Sequence, residues 1–278
     1  VADPVVVEAG DPVHAGVLGV LQGLTEFLPV SSSGHLVLFQ QFLKVAGDEV
    51  LFDLVLHLGT LLPVIFYYRA QVKELIVDPI AGEGPFRERP GVRLLGLLIL
   101  ATVPTAIIGL ALEDYFEALF DTPAALVVTF TITGCLLFAT RFVGAGGREL
   151  GNMKAWHALV LGLAQGFAIT PGISRSGTTI ATALFLGIRR EDAARFSFLM
   201  SVPAILGAVV LKLKDVDTAA LDPVSLVVGF LAAMVSGYLA LVLLVNLVKR
   251  GGFSWFGVYC WFAALVALGI ALFRAGVI

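Results

Sequence analysis

Residues 14–35 read HAGVLGVLQGLTEFLPVSSSGH and lie inside one of the most apolar regions of a 278-residue chain. Three serines, a glycine and a histidine break the run of hydrocarbon side chains just after Pro29 and Val30. The pattern returns 143 residues later, without a gap, as HALVLGLAQGFAITPGISRSGT (157–178), with ten of 22 positions identical. Among the shared positions are His14/His157, Gln22/Gln165, Gly23/Gly166, Ser31/Ser174, Ser33/Ser176 and Gly34/Gly177. A polar break repeated at the same place in two copies is a feature the fold must accommodate twice.

The surroundings say what it is embedded in. The chain is 58% hydrophobic and 14% charged, with a mean hydropathy of +0.96. A soluble domain carries about 25% charged residues, so this is the composition of an integral membrane protein. Its apolar runs are continuous rather than alternating, which favours helices over a β-barrel. The net charge of −3 gives no footing for nucleic acid, and none is expected as a partner. Cys135 and Cys260 lie far apart within apolar runs and read as small core hydrophobes, not as a disulfide or metal site. The opening VADPVVVEAGDP lacks the basic region of a signal peptide, so none is expected there.

Spanning segments are expected at 51–69, 92–112, 122–141, 196–212, 223–248 and 255–274, each close to the length needed to cross about 30 Å of hydrocarbon. Residues 13–43 and 155–188 are too long for one span and broken in the middle, and their halves are too short to cross. They read as re-entrant helical hairpins. With the acidic loop 113–121 outside, the inside loops hold thirteen Lys and Arg and the outside segments four, a positive-inside bias. Three spans between the hairpins bring the second in from the opposite side. The expected architecture is therefore an all-α membrane protein of two inverted-topology repeats within one membrane domain, 1–278. The first repeat is 13–143 and the second 155–275. Such folds build their site where broken helices of both halves meet near the midplane.

The chemistry lies where the copies differ. Glu26 faces Ile169, Ser32 faces Arg175 and His35 faces Thr178. Gln22 and Glu26 are four apart and share a helix face. Arg175 is flanked by Ser174, Ser176, Thr178 and Thr179, with Gly172 and Gly177 expected to free backbone amides. Guanidinium, hydroxyls and amides together describe a phosphate pocket. An intramembrane Arg costs about 2.5 kcal/mol or more, and the rival reading is an ion pair with Glu26 that only locks the hairpins together. His35, beside Glu26 and the serines, is expected as acid or base. His14 and His157 read as interfacial caps, and His57 is a weaker cavity-lining candidate.

QGLTEFLPVSSSGH and PGISRSGTTIA resemble the two signature motifs of the undecaprenyl-diphosphate phosphatase family of the bacitracin-resistance type. FDLVLHLGTLLPVIFYYR, ATVPTAIIGL, RFSFLMSVPAILG and GGFSWFGVY fit the same pattern in order, so the resemblance covers nearly the whole chain. It implies hydrolysis of a long polyprenyl diphosphate to the monophosphate and inorganic phosphate, recycling a lipid carrier of cell-envelope glycan synthesis. It also implies a divalent cation, Mg²⁺ or Ca²⁺, and a multi-pass protein of the cytoplasmic membrane with its site open to the outer face. Glu26, Ser32, His35 and Arg175 become the expected catalytic residues. Ser31, Ser33, Gly172, Ser174, Ser176, Gly177, Thr178 and Thr179 join Arg175 in holding phosphate, and Glu26 with Gln22 would hold the metal. One departure is Tyr259-Cys260, where the family commonly has Tyr-Arg. The nucleophile is left open between Ser32 and water. Besides the lipid substrate and membrane lipids no partner is implied, and a homodimer is left open. The alternative function is a polyprenyl-phosphate flippase using the same anion pocket.

Overall fold

Lipid offers backbone N–H and C=O groups no partner, so apolar runs of this kind close their hydrogen bonds internally as helices. The computed structural model describes residues 6–7, 12–40, 44–45, 49–120, 122, 124–144, 146–213 and 223–274. Within them lie twelve α-helices: α1 Pro12–Phe27, α2 Ser32–Gln40, α3 Glu49–Tyr67, α4 Arg69–Ala81, α5 Pro90–Ala111, α6 Glu113–Phe120, α7 Ala125–Ala139, α8 Ala155–Phe167, α9 Arg175–Phe185, α10 Arg190–Lys212, α11 Pro223–Arg250 and α12 Trp255–Arg274. The extended structure described is a two-residue parallel pairing of Val6–Val7 with Lys44–Val45.

Among the described residues five helices are long and apolar enough to cross a membrane: α5, α7 with its short 3-10 extension, α10, α11 and α12. The α3–α4 pair, bent by 80° at Tyr68, brings the number to six. The chain is thus a multi-pass helical membrane protein. Along α5 the side chains of Ile99, Val103, Ile107 and Leu110 are exposed on one stripe, as a lipid-facing surface requires. Proline opens α5 and α11 at their first positions, where its missing N–H leaves no bond unmade.

Three stretches expected as connecting loops contain helix. Residues 189–195 form the first turns of α10, which starts at Arg190. Glu191 and Asp192 stand in that first turn, where the helix dipole favours acids, and Arg189 and Arg195 pair with Asp192. The acidic segment after α5 folds as α6. Residues 69–81, within the basic loop, fold as α4, which buries none of its side chains.

The short helices α1 and α8 are set into the molecule by glycine. Helix α1 packs along α11, and α8 packs along α5. A Cβ on Gly19 would stand 2.4 Å from the Gly229 carbonyl oxygen, and one on Gly162 would stand 2.0 Å from that of Ala101. Without a hydrophobic force between helices in lipid, such backbone-to-backbone approach is what holds them. Behind these contacts, Phe27, Val64, Leu98, Phe196, Phe198, Leu199 and Leu244 belong to the main buried apolar cluster.

Candidate active site

The turn between α1 and α2 and the turn between α8 and α9 meet. Ser31 is the pivot: its hydroxyl accepts the amide of Gly34 on its own helix at 3.2 Å and that of Gly172 on the other turn at 3.1 Å. To do this Ser31 sits at φ +67°, a left-handed conformation unusual for a residue with a side chain. Glycine would relieve the backbone there but would lose both hydrogen bonds. Gly172 is left-handed as well, at φ +86°, and a Cβ on it would lie 2.0 Å from Thr129 Oγ1. Thr133 of α7 clamps the second turn, donating to the Gly172 carbonyl at 3.0 Å and accepting the Ser174 amide at 3.3 Å.

Helices α2 and α9 begin in the same way. Ser174 Oγ caps the Gly177 amide at 3.1 Å, as Ser31 caps Gly34. The Thr178 amide donates to the Ser174 carbonyl, and the His35 amide to that of Ser31. Ser31 and Ser33 hydroxyls lie 3.3 Å apart, and so do those of Ser174 and Ser176. The amides of Gly172, Ile173, Ser174, Gly177 and Thr178 are therefore all engaged within the protein, which corrects the expectation that the glycines free them. The first two amides of each helix, at Ser32 and Ser33 and at Arg175 and Ser176, are the ones a helix leaves without an internal acceptor. Amides in that position are donors of the kind an anion can take.

Those two helix starts converge on one carboxylate. Glu26 is buried, and its Oε1 accepts from the Arg175 guanidinium. Its Oε2 accepts from Ser32 Oγ at 2.7 Å and from Gln22 Nε2 at 3.1 Å. The two positions aligned in the repeat, Ser32 and Arg175, thus touch the same side chain. His57 of α3 comes within 3.9 Å of Glu26 Oε2 through Nε2, while its Nδ1 donates to the Asp53 carbonyl. This brings the weaker sequence candidate to the centre.

His35 is placed differently from the sequence expectation. It is buried, with Nδ1 donating to the Ser31 carbonyl at 2.8 Å and Nε2 paired with the Tyr259 hydroxyl at 2.7 Å. No hydrogen bond joins it to Glu26 or Ser32 among the described residues. Tyr259 was missed as a partner; the sequence marks it only as the first residue of the Tyr259-Cys260 departure. Cys260 itself is buried, its thiol 3.5 Å from the Pro29 carbonyl. Thr179 bonds Ser197 at 2.5 Å and the Arg175 carbonyl, bracing α9 on α10, and Ser176 reaches the Leu28 carbonyl at 3.4 Å. Thr178 Oγ1 is buried without a partner. His157 lies outside the site: its Nδ1 accepts the Lys154 amide at the start of α8, and its Nε2 pairs with Arg148.

The expected cation site has one carboxylate and one amide. Among the described residues no three His, Cys, Asp or Glu side chains come together, so no metal cage is built from protein ligands alone. Gln22 Oε1 is nevertheless a buried oxygen without a donor, next to Glu26. One carboxylate and one unpaired carbonyl fit a hard cation whose remaining ligands are substrate oxygens and water.

Fold and site together define a multi-pass helical membrane protein with a Ser–Glu–Arg centre, its carboxylate buried, between two helix N-termini. The family model described as Bacitracin resistance protein BacA matches residues 15–266, and the chain belongs to that family. It is similar to the undecaprenyl-diphosphatase of Carboxydothermus hydrogenoformans, with 43% identity over 260 residues covering 92% of this chain and 95% of the relative. The undecaprenyl-diphosphatase of Syntrophotalea carbinolica is 46% identical over 252 residues, 89% of this chain and 94% of that protein. That of Methanobrevibacter smithii is 39% identical over 267 residues, 92% and 96% of the two chains.

Proposed function

We propose that this protein hydrolyses undecaprenyl diphosphate to undecaprenyl phosphate and inorganic phosphate, returning the lipid carrier to cell-envelope glycan synthesis. The observation that carries this reading is the convergence of Ser32 and Arg175, each at a helix N-terminus, on Glu26. The relatives bear the same activity in their names. Arg175 and the leading amides of α2 and α9 hold the diphosphate oxygens, where charge gathers as the P–O–P bridge breaks. Diphosphate displaces Glu26 from the guanidinium, and the freed carboxylate takes the proton of the Ser32 hydroxyl or of a water as that oxygen attacks the terminal phosphorus. The P–O–P bridge breaks with its oxygen leaving on undecaprenyl phosphate, to which a protonated His35 would donate; on the Ser32 route a water then cleaves the phosphoserine and releases inorganic phosphate. A Mg²⁺ or Ca²⁺ ion held by Glu26 and Gln22 would neutralise phosphate charge. A flippase would need only the cation and hydroxyls, and nothing here favours it.

The same proposal covers the architecture. The helix pairs α1–α2 and α8–α9 are re-entrant hairpins of two inverted repeats, 13–143 and 155–275, in the cytoplasmic membrane with the site open to its outer face. The matched caps of α2 and α9 and the matched glycines Gly19 and Gly162 support it. The test is phosphate release from undecaprenyl diphosphate by the purified protein with Mg²⁺ or Ca²⁺. Turnover is expected, falling at least about 100-fold in Arg175→Ala and vanishing with chelator. Full turnover in Arg175→Ala would refute the site.

A further inference from the structure

The proposed reaction gives His35 a task but does not say what holds it ready, and the residue that does so comes from the far end of the chain. The His35 ring has two nitrogens, and both are engaged. The Ser31 carbonyl can only accept, so Nδ1 carries a proton and the neutral ring offers its lone pair at Nε2. Tyr259 of α12 meets that lone pair with its hydroxyl at 2.7 Å. The two rings are parallel within 11°, and Phe130 of α7 packs edge-on against the imidazole at 84°. No charged side chain contacts the imidazole among the described residues; its neighbours are a carbonyl, a phenol and a phenyl ring.

We infer that Tyr259 is a positioning residue for the reaction, fixing the orientation of His35, whose tautomer the Ser31 carbonyl sets, while leaving the ring free to change protonation state. The choice of partner is what makes this work. A carboxylate at this position would hold the ring as imidazolium, and an ammonium would hold it neutral. A phenol donates to neutral Nε2 and accepts from protonated Nε2, so one contact serves both states. Tyr259 as a residue is 43% exposed, whereas His35 is 6% exposed. The phenol acts through His35, on the nitrogen that exchanges the proton, while the Ser31 carbonyl holds the ring from Nδ1.

The inference rests on the phosphatase reading, and one set of measurements separates the two. Wild type, Tyr259→Phe, His35→Ala and the double variant are purified in detergent and assayed for phosphate release from undecaprenyl diphosphate. Tyr259→Phe keeps the ring and removes one oxygen, so its thermal melting is expected to match wild type. Its kcat is expected to fall about 10- to 100-fold with KM within about twofold. In the His35→Ala background the same change is expected to have no further effect. A Tyr259→Phe enzyme with wild-type kcat overturns the inference, as does an equal loss in the absence of His35. A wild-type protein that releases no phosphate takes down both readings, whereas an active wild type indifferent to Tyr259→Phe takes down only this one.

Discussion

At the scale of the residue, the centre turns on how one buried carboxylate is used. Glu26 has a donor on each oxygen, and among the described residues Arg175 is its one cationic partner at hydrogen-bond distance. Removing one member of such a pair strands the other charge, at a cost of about 3–5 kcal/mol. Glu26→Gln is therefore expected to lower the melting temperature in detergent by several degrees, and Glu26→Gln with Arg175→Gln to recover most of the loss. A double variant no more stable than Glu26→Gln would show that the pair does not carry this energy. Arg175→Lys keeps the charge but not the planar fork, and its kcat/KM is expected to fall about 100-fold in the same phosphate assay. Much of this centre was legible. Aligning the repeat singles out Ser32 and Arg175 as counterparts, and they arrive on one side chain. Tyr259 was not legible, because it lies 224 residues from His35 and only the packing of α12 brings them together. The state of the amides was illegible too: a glycine in the sequence does not reveal that Ser31 and Thr133 already occupy the N–H groups around it.

At the scale of the element, the decisive signals were punctuation and spacing. The polar breaks in 13–43 and 155–188 mark the starts of α2 and α9, which the Ser31 and Ser174 hydroxyls cap, while Pro90 and Pro223 open α5 and α11. The sequence spoke less clearly where charge coincided with helix. The REDAAR turn of α10 was expected as a loop, because its charges count toward topology, while its acids equally suit a helix N-terminus. Helix α4 buries no side chain fully, although Val72 and Leu75, three apart, lean against the main core. The glycine contacts give the sharpest test at this scale. Gly162→Leu must push a branched side chain into the Ala101 carbonyl, which already lies 2.0 Å from an added Cβ. The yield of monodisperse protein in detergent is expected to collapse, whereas Gly96→Leu, where a Cβ meets nothing within 4 Å, is expected to express as wild type. Equal yields would mean that α8 does not depend on this approach.

At the scale of the whole molecule, the proposed inversion predicts sidedness. Val13 at the start of α1 and Trp156 at the start of α8 are both exposed. In a Cys135→Ala background, Val13→Cys is expected to react with a membrane-impermeant maleimide from outside intact cells, and Trp156→Cys only after the membrane is opened. Labelling of both from one side would overturn the inverted arrangement. The crossed packing has a further consequence, which concerns time. Helix α1 leaves the ribosome some 200 residues ahead of α11, the helix it lies along. Until Gly229 and Ala233 are synthesised, the surface of α1 around Gly19 and Gly23 has no mate. The α1–α2 turn must therefore wait for its packing partner while the helices between are made. A nascent chain truncated before α11 would hold the serines, the glutamate and the arginine and still lack the wall that sets α1 in place. The site is assembled last from parts made first.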